Sequence, residues 1–313
     1  MRCGQNLESD RMPSMISTAI ELQAKAKKIA WKKLHQKRVA TYLKSDRRPW
    51  SPGYDEYRLE YLAQSISNPA LAQIFKDGGA LPDKYGFRLD ARVIEIPWVL
   101  SRLPDSDGDF LDAGSALNHE CVLESEALRK KRTTIVTLAP EGQAFWRLGV
   151  SYVFGDMRNL FFKNEWFSEI ACISTIEHIG MDNTMYAEDL NIAKRSDPGE
   201  FVLAVKELKR VLKPGGVLYI TFPFGRYENH GWFQQFDAVL VDTLIDAFAP
   251  SRRHEAIFQY HPDGWQLSNR EACKDCEFFD VHTSKYSDPN STIEYPPDYP
   301  AGERAVACLE LRK

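Results

Sequence analysis

Carboxylates, a histidine and a run of small residues stand at the ends of short apolar stretches in this chain, and chemistry is expected there. Asp109-Phe-Leu-Asp-Ala-Gly-Ser-Ala-Leu-Asn-His119 is an apolar run that ends in an acid and breaks into small residues. It reads as a buried strand, a tight turn and a helix start, in which backbone amides and a helix dipole can meet a nucleotide-like ligand. Asp112, Ala113, Gly114, Ser115 and Asn118 make up the turn. Its spacing is not Gly-x-Gly-x-x-Gly, so a dinucleotide pyrophosphate has little support. Other apolar runs close on polar groups too. Glu141 follows 133–138 and could hold two ribose hydroxyls, and Asp156 with Met157 follows 151–154 and could meet the amino edge and face of a purine. Ser174, Glu177 and His178 follow 169–174, and Phe222-Pro-Phe-Gly225 ends the next run.

These residues need a sheet to bring them together. Strands are expected at 110–112, 133–138, 151–154, 169–174 and 216–222, with helices at 118–130 and at 199–212, the latter stopped by Lys213-Pro-Gly-Gly216. Short apolar strands separated by helices imply a parallel sheet covered on both faces, and such sheets bind ligands outside the carboxyl ends of their strands. Ahead of the first strand, 54–75 holds two short helical patterns split at Asn68-Pro69, where Ser67 or Asn68 can cap the second. A further helix is expected in the stretch 85–103, with Pro97 kinking it or starting a new turn. Beyond Phe222, 236–248 is an amphipathic helix, 256–260 a strand, 283–302 a loop, and 304–311 a closing strand.

Composition limits the alternatives. A net charge of -4 and a pI near 6.0 give no global attraction to nucleic acid or acidic membranes. No run of about 18 uncharged apolar residues exists and the N-terminus lacks a signal-peptide core, so the chain reads as cytoplasmic. Residues 1–13 show no periodicity and are expected to be poorly ordered. From Glu21 to Arg48 ten Lys/Arg face two acids, and Ala26, Ile29, Ala30 and Leu34 form a narrow apolar stripe on a helix over 14–43. That helix is read as solvated and packed on the domain by its stripe, with docking to a membrane surface or partner as the alternative. Arg48-Pro-Trp-Ser-Pro-Gly53 is a breaker cluster and a boundary. Of six cysteines only Cys273 and Cys276 are close, in Cys-x-x-Cys spacing; without a second pair they are taken as ordinary buried thiols rather than a metal or redox centre.

Leu111-Asp-Ala-Gly114, Gly155-Asp-Met-Arg158, Cys172-Ile-Ser-Thr-Ile-Glu-His-Ile-Gly180, Leu212-Lys-Pro-Gly-Gly216 and Leu218-Tyr-Ile-Thr-Phe-Pro-Phe-Gly225 stand in the order seen in class I S-adenosylmethionine-dependent methyltransferases, which the chain resembles over about 109–225. The first loop also resembles methyltransferases associated with surface polysaccharides and other sugar-modifying enzymes. The resemblance implies a three-layer, Rossmann-like α/β fold with a seven-stranded, mostly parallel sheet and an N-terminal helical extension. It divides the chain into a tail and basic helix (1–53) and a methyltransferase domain (54–313), with a helical lid (54–104) and a cofactor core (105–225). It places Asp112, Ala113, Gly114, Ser115 and Asn118 by the methionine part of S-adenosylmethionine, Asp156 and Met157 at the adenine, and Ser174 on the sulfonium side. Two departures stand out. Ala116 and Asn118 replace usual glycines, and the acid expected at the end of the second strand falls at Thr137 or Leu138, leaving Glu141 as the ribose candidate.

The implied activity is methyl transfer to a hydroxyl of a small molecule or glycan, with S-adenosylhomocysteine as product and no metal. Such transfer needs in-line alignment, exclusion of water and removal of a proton. His178 is the candidate base with Glu177 orienting it or the acceptor; the competing role is a histidine packed on the sheet beside a turn-capping Glu177. Arg226-Tyr-Glu-Asn-His-Gly-Trp232 and Tyr260-His-Pro-Asp-Gly-Trp265 mix aromatic faces with polar groups, making His230, Trp232, His261 and Trp265 acceptor-contact candidates against a role as buried loop anchors. A nicotinamide-dependent oxidoreductase and a cofactor-binding docking protein without turnover are the alternative functions. Nucleic-acid methylation is disfavoured because the basic cluster is confined to one helix and no Asn/Asp-Pro-Pro-Tyr motif follows the fourth strand.

Overall fold

A computed structural model of the protein describes residues 15–186, 197–281 and 294–313. The elements in chain order are α1 (Met15–Lys44), α2 (Tyr54–Ile66), α3 (Pro69–Asp77), α4 (Arg92–Arg102), β1 (Asp109–Ala113), α5 (Glu120–Leu123), β2 (Arg132–Thr137), β3 (Ser151–Phe154), β4 (Phe167–Ile173), α6 (Phe201–Val211), β5 (Leu212–Pro223), β6 (Glu228–Asn229), β7 (Gln234–Gln235), α7 (Ala238–Phe248), β8 (Arg252–His261), β9 (Gly264–Ser268), α8 (Arg270–Cys273) and β10 (Ala305–Arg312). The main sheet has the order β3-β2-β1-β4-β5-β10-β8-β9. β3, β2, β1, β4 and β5 are parallel, whereas β10 is antiparallel to both β5 and β8. The fold is thus α/β, three-layered and mostly parallel as expected, with eight strands instead of seven. The extra strand is β9, which pairs antiparallel with β8 through a hairpin turned at Pro262-Asp263.

Alternation along the strands explains the layers. Phe110, Ile135, Ala171 and Tyr219 join the core under α2–α4, while Leu111, Val136, Ile170 and Leu218 face α6 and α7. α4 begins at Arg92 rather than at Tyr85, is buried from Val93 to Leu100 and continues past Pro97. Proline has no N–H to return to Val93, and the Tyr85 hydroxyl donates to that carbonyl at 2.6 Å instead. Asn68 caps α3, accepting from the Ala70 and Leu71 amides at 3.1 and 3.3 Å.

Three expectations need correction. The helix over 118–130 is only α5, because Glu124-Ser125-Glu126 breaks the ladder into turns such as Leu128 N–H to Ser125 carbonyl. α6 stops at Val211 as expected, but the strand expected from 216 already starts at Leu212, and Lys213-Pro-Gly-Gly216 bulges within β5 where the pairing slips between Phe167 and Glu169. The apolar stripe of α1 does not pack: Ala26, Ala30 and Leu34 are exposed, and the helix is held by its last turns through buried Val39 and Tyr42 and the His35–Glu60 contact at 2.9 Å. The side chain of Ile29, the 1–13 tail and most of the 283–302 segment lie outside what is described. Among the described residues no helix is long and apolar enough to cross a membrane.

Candidate functional site

One cavity of about 510 Å³ opens at the carboxyl ends of β1 to β4, where a parallel sheet is expected to take a ligand. Its β1 wall is Gly114 and Ser115. Gly114 has φ +116°, and a Cβ there would fall 2.0 Å from Thr175 Oγ1, so turn and close approach both require glycine. Ser115, also left-handed at φ +64°, donates from Oγ to Glu141 Oε1 at 2.5 Å, and Thr137 Oγ1 reaches the same oxygen at 3.3 Å. These contacts draw Glu141 back to the end of β2. The loop that carries it is pinned by Asn118, whose Nδ2 donates to the Gln143 carbonyl at 3.0 Å. The Asn118 Oδ1 accepts from the Tyr152 hydroxyl at 2.8 Å, and that hydroxyl accepts the Phe145 N–H at 2.8 Å.

At β3, Met157 is nearly buried and Asp156 is clasped by Arg158, whose Nε lies 2.9 and 3.0 Å from the two carboxylate oxygens. Arg158 also meets Glu200, which ties the cavity rim to α6, and these carboxylates hold its guanidinium more firmly charged than usual. Behind the wall, Asp112 accepts the Leu117 N–H at 2.9 Å through Oδ2, while Oδ1 has no partner. Burial pushes its carboxyl up to about 7. Six of the expected cofactor residues therefore meet around the cavity: Gly114, Ser115, Glu141, Asp156, Met157 and Ser174. Asp112, Ala113 and Asn118 do not reach its surface and shape it from behind.

The β4 end is tied to α4. Ser174, strained at φ +37°, donates from Oγ to Glu95 Oε1 at 2.5 Å, and Thr221 Oγ1 donates to the same oxygen at 2.6 Å. Glu95 is fully buried, and its other oxygen accepts from Arg92 Nη1 at 2.5 Å. Arg92 is also among the residues that line the cavity. Neither Arg92, Glu95 nor Arg158 was singled out from sequence. The available signal was Glu95 inside the apolar run 93–100, since a buried charge is retained only with partners.

His178 lines the same cavity beside Ser174. Its Nδ1 lies 3.0 Å from the Trp232 carbonyl, which can only accept, so Nδ1 carries the proton and Nε2 the lone pair. Burial pushes the imidazole down to about 4 and keeps it neutral. Glu177 lies 3.9 Å from Nε2, is buried away from the cavity, and has its carboxyl pushed well up by burial, with Glu95 and Glu303 adding to the effect. The group that orients His178 is thus a backbone carbonyl rather than Glu177.

The acceptor-contact candidates divide differently from expectation. His230 stacks on Phe233 at 4.4 Å between Glu228 and Asp280, and Trp232 Nε1 donates to Asp280 Oδ2 at 3.2 Å. Neither side chain lines the cavity. His261 and Trp265 lie away from this cavity: they flank the β8–β9 hairpin, and Trp265 is buried with Nε1 donating to the Leu89 carbonyl at 2.9 Å, which fits the loop-anchor alternative. An indole buried with its N–H satisfied anchors the layer under α4, although Trp265 also edges a separate cavity of about 410 Å³ beside the hairpin.

No family model matches this chain, and no curated protein matches it. Among solved structures it is similar to a possible histamine N-methyltransferase of Thermotoga maritima, at 14% identity over 82% of this chain and 100% of that one, with a TM-score of 0.44. It is also similar to the 1,6-didemethyltoxoflavin-N1-methyltransferase of Burkholderia thailandensis bound to 1,6-didemethyltoxoflavin and S-adenosylhomocysteine (15%, covering 82% and 90%, TM-score 0.43). A third is the YcgJ protein of Bacillus subtilis (13%, covering 70% and 97%, TM-score 0.41). At these values the fold class follows from the strand order of the chain itself.

Proposed function

We propose that the chain transfers a methyl group from S-adenosylmethionine to a hydroxyl of a small molecule or glycan. The observation that carries this reading is the convergence of four strand ends on one cavity in a fixed chemical order. A glycine-led turn stands at β1, a carboxylate at β2, a carboxylate beside a buried methionine at β3, and a polar end with a histidine at β4. An amino-acid tail, a ribose and an adenine ask for that series. The volume, about 510 Å³, falls within the range of small-molecule sites. Gly114 and Ser115 would flank the tail, with Arg92 meeting its carboxylate. Glu141 would take the ribose hydroxyls, and Asp156 with Met157 the adenine edge and face.

The bound cofactor supplies a methyl group activated by a sulfonium leaving group. The chain's own task is to hold, orient, exclude water and accept the acceptor's proton. His178 Nε2 is the group placed for the last of these: neutral, with its ring fixed through Nδ1–H and the Trp232 carbonyl. Its lowered pKa, about 4, leaves the lone pair free throughout the neutral range but lies below the near-neutral value expected of a general base, so the ring is a weak base in the ligand-free protein. Titration calorimetry with S-adenosylhomocysteine and NAD, followed by labelled methyl transfer into fractionated extract, tests the reading. We expect binding of the first ligand alone, and a His178→Ala protein that binds it normally but transfers methyl at least about a hundredfold more slowly. Binding of NAD without S-adenosylhomocysteine removes the reading, and unchanged turnover in His178→Ala removes the base.

A further inference from the structure

The Cys-x-x-Cys segment is the one sequence motif that this chemistry leaves unused. Asn269 caps α8, accepting the Ala272 N–H at 3.0 Å, and the Cys276 N–H closes back on the Cys273 carbonyl at 3.0 Å. A four-residue turn keeps its end Cα atoms within about 7 Å, and disulfides span Cα distances of roughly 4.4 to 6.8 Å. Cys273 is buried with its thiol donating to Ser268 Oγ at 3.4 Å, and Cys276 is half-buried, accepting from Gln259 Nε2 at 3.7 Å. A hydrogen bond from the Cys276 thiol holds Cys273 below the usual thiol range, at about 7, and the same bond, with burial, pushes the Cys276 thiol well up. Among the described residues no group of three or more His, Cys, Asp or Glu could hold a metal ion.

The turn is also a fastening. The Cys276 carbonyl accepts the Arg226 N–H at 3.0 Å and Gln235 Nε2 at 2.8 Å. Gly225 sits so close that a Cβ there would be 2.1 Å from that oxygen. Arg226 and Gln235 are at the base of the β6–β7 ribbon, and beyond β6 comes Trp232, whose carbonyl orients His178. Asp280, four residues past Cys276, accepts the Trp232 Nε1–H. The ribbon is therefore held at base and tip by one short stretch of chain.

We propose that Cys273 and Cys276 are a redox modification site that closes to a disulfide with a low-molecular-weight disulfide as oxidant, moving the Cys276 carbonyl and with it the ribbon that sets His178. The half-buried Cys276 passes its proton to the hydrogen-bonded Cys273 thiolate and attacks one sulfur of the oxidant, forming a mixed disulfide and expelling a thiolate; Cys273 then gives that proton to the expelled thiolate. The Cys273 thiolate then attacks the Cys276 sulfur, closing the ring and expelling the second thiolate. The two cysteines lose two electrons and two protons, and the oxidant becomes two thiols. The thiol chemistry stands apart from the methyl-transfer reading; only its effect on the rate of methyl transfer rests on that reading.

The test places the full chain in glutathione buffers from fully reduced to fully oxidised, maps disulfides by peptide mass, and follows amide exchange over 225–236. We expect an intramolecular Cys273–Cys276 disulfide, absent in Cys276→Ser, and exchange in the ribbon about tenfold faster in the oxidised form. Dithiothreitol should restore slow exchange in the unmodified chain, so the test does not depend on the variant folding. The rate of methyl transfer should fall about three- to tenfold on oxidation, with S-adenosylhomocysteine affinity unchanged. Absence of that disulfide in fully oxidised glutathione, or a disulfide that leaves ribbon exchange unchanged, overturns the proposal. A ribbon that loosens in a protein whose reduced form binds no S-adenosylhomocysteine supports the switch and overturns the methyl-transfer reading instead.

Discussion

Gly114 meets two demands at once: a backbone angle that L-residues avoid, and a Thr175 hydroxyl where a Cβ would have to be. Gly114→Ala is expected to cost about 2 kcal/mol or more in urea unfolding and to weaken S-adenosylhomocysteine binding at least about tenfold, because the turn must move into the cavity. Glu141 is the opposite case. It is exposed and held only by Ser115 and Thr137, so Glu141→Ala should leave stability within about 0.5 kcal/mol and lower cofactor affinity about tenfold. Unchanged affinity in calorimetry would remove it from the ribose site. The contrast also marks what was legible in the sequence. Small residues after an apolar strand announce a close backbone approach, and an acid near a strand end can be found even when displaced by a few residues. Whether a carboxylate faces the ligand or caps the turn from behind, as Asp112 does toward Leu117 N–H, depends on rotamer and burial, which spacing does not encode.

Among the elements, α4 links the outer layer to the site through Glu95, Ser174 and Thr221. Its continuity depends on Tyr85, whose hydroxyl serves the Val93 carbonyl that Pro97 leaves without a donor. Tyr85→Phe removes that donor from a buried carbonyl and is expected to destabilise by about 1 to 3 kcal/mol, read from the urea midpoint at unchanged slope. A neutral result would mean that the helix does not need the bond. Pro97 was visible in the sequence, and its remedy was not, since Tyr85 lies outside the helix. The other misread elements failed for related reasons. β9 is a short strand after a Pro-Asp turn, and the aromatics beside it suggest a binding loop until the sheet edge that pairs with them is seen. The Pro-Gly-Gly segment does end α6, at Val211, but it turns as a bulge within β5, because pairing with β4 already begins at Leu212. The five parallel strands that build the cavity, in contrast, were legible because each is an apolar run bounded by breakers.

Across the whole molecule, buried ionisable groups set opposing dependences of stability on pH. His119 and His178 are each pushed down to about 4 by burial. With unfolded values near about 6.5, they bind protons on unfolding, so their contribution is complete above that pH and is lost as pH falls toward 4. Asp112 and Glu303 are pushed up to about 7, again by burial first. They release protons on unfolding, so their contribution is complete below about pH 4 and is lost as pH rises through 7. Single substitutions should separate the two slopes in the ligand-free protein. His178→Gln removes an acid-side loss, so its stability relative to the unsubstituted chain should improve as pH is lowered from 7.5 to 4.5. Asp112→Asn removes an alkaline-side loss, and its relative stability should improve in the other direction, by about 3 kcal/mol between pH 4.5 and 7.5. Urea unfolding at three pH values across that window measures both. Difference curves of the same sign, or flat ones, would mean that these side chains titrate in the folded protein much as they do in the unfolded chain, and that the cavity floor is more hydrated than its burial implies.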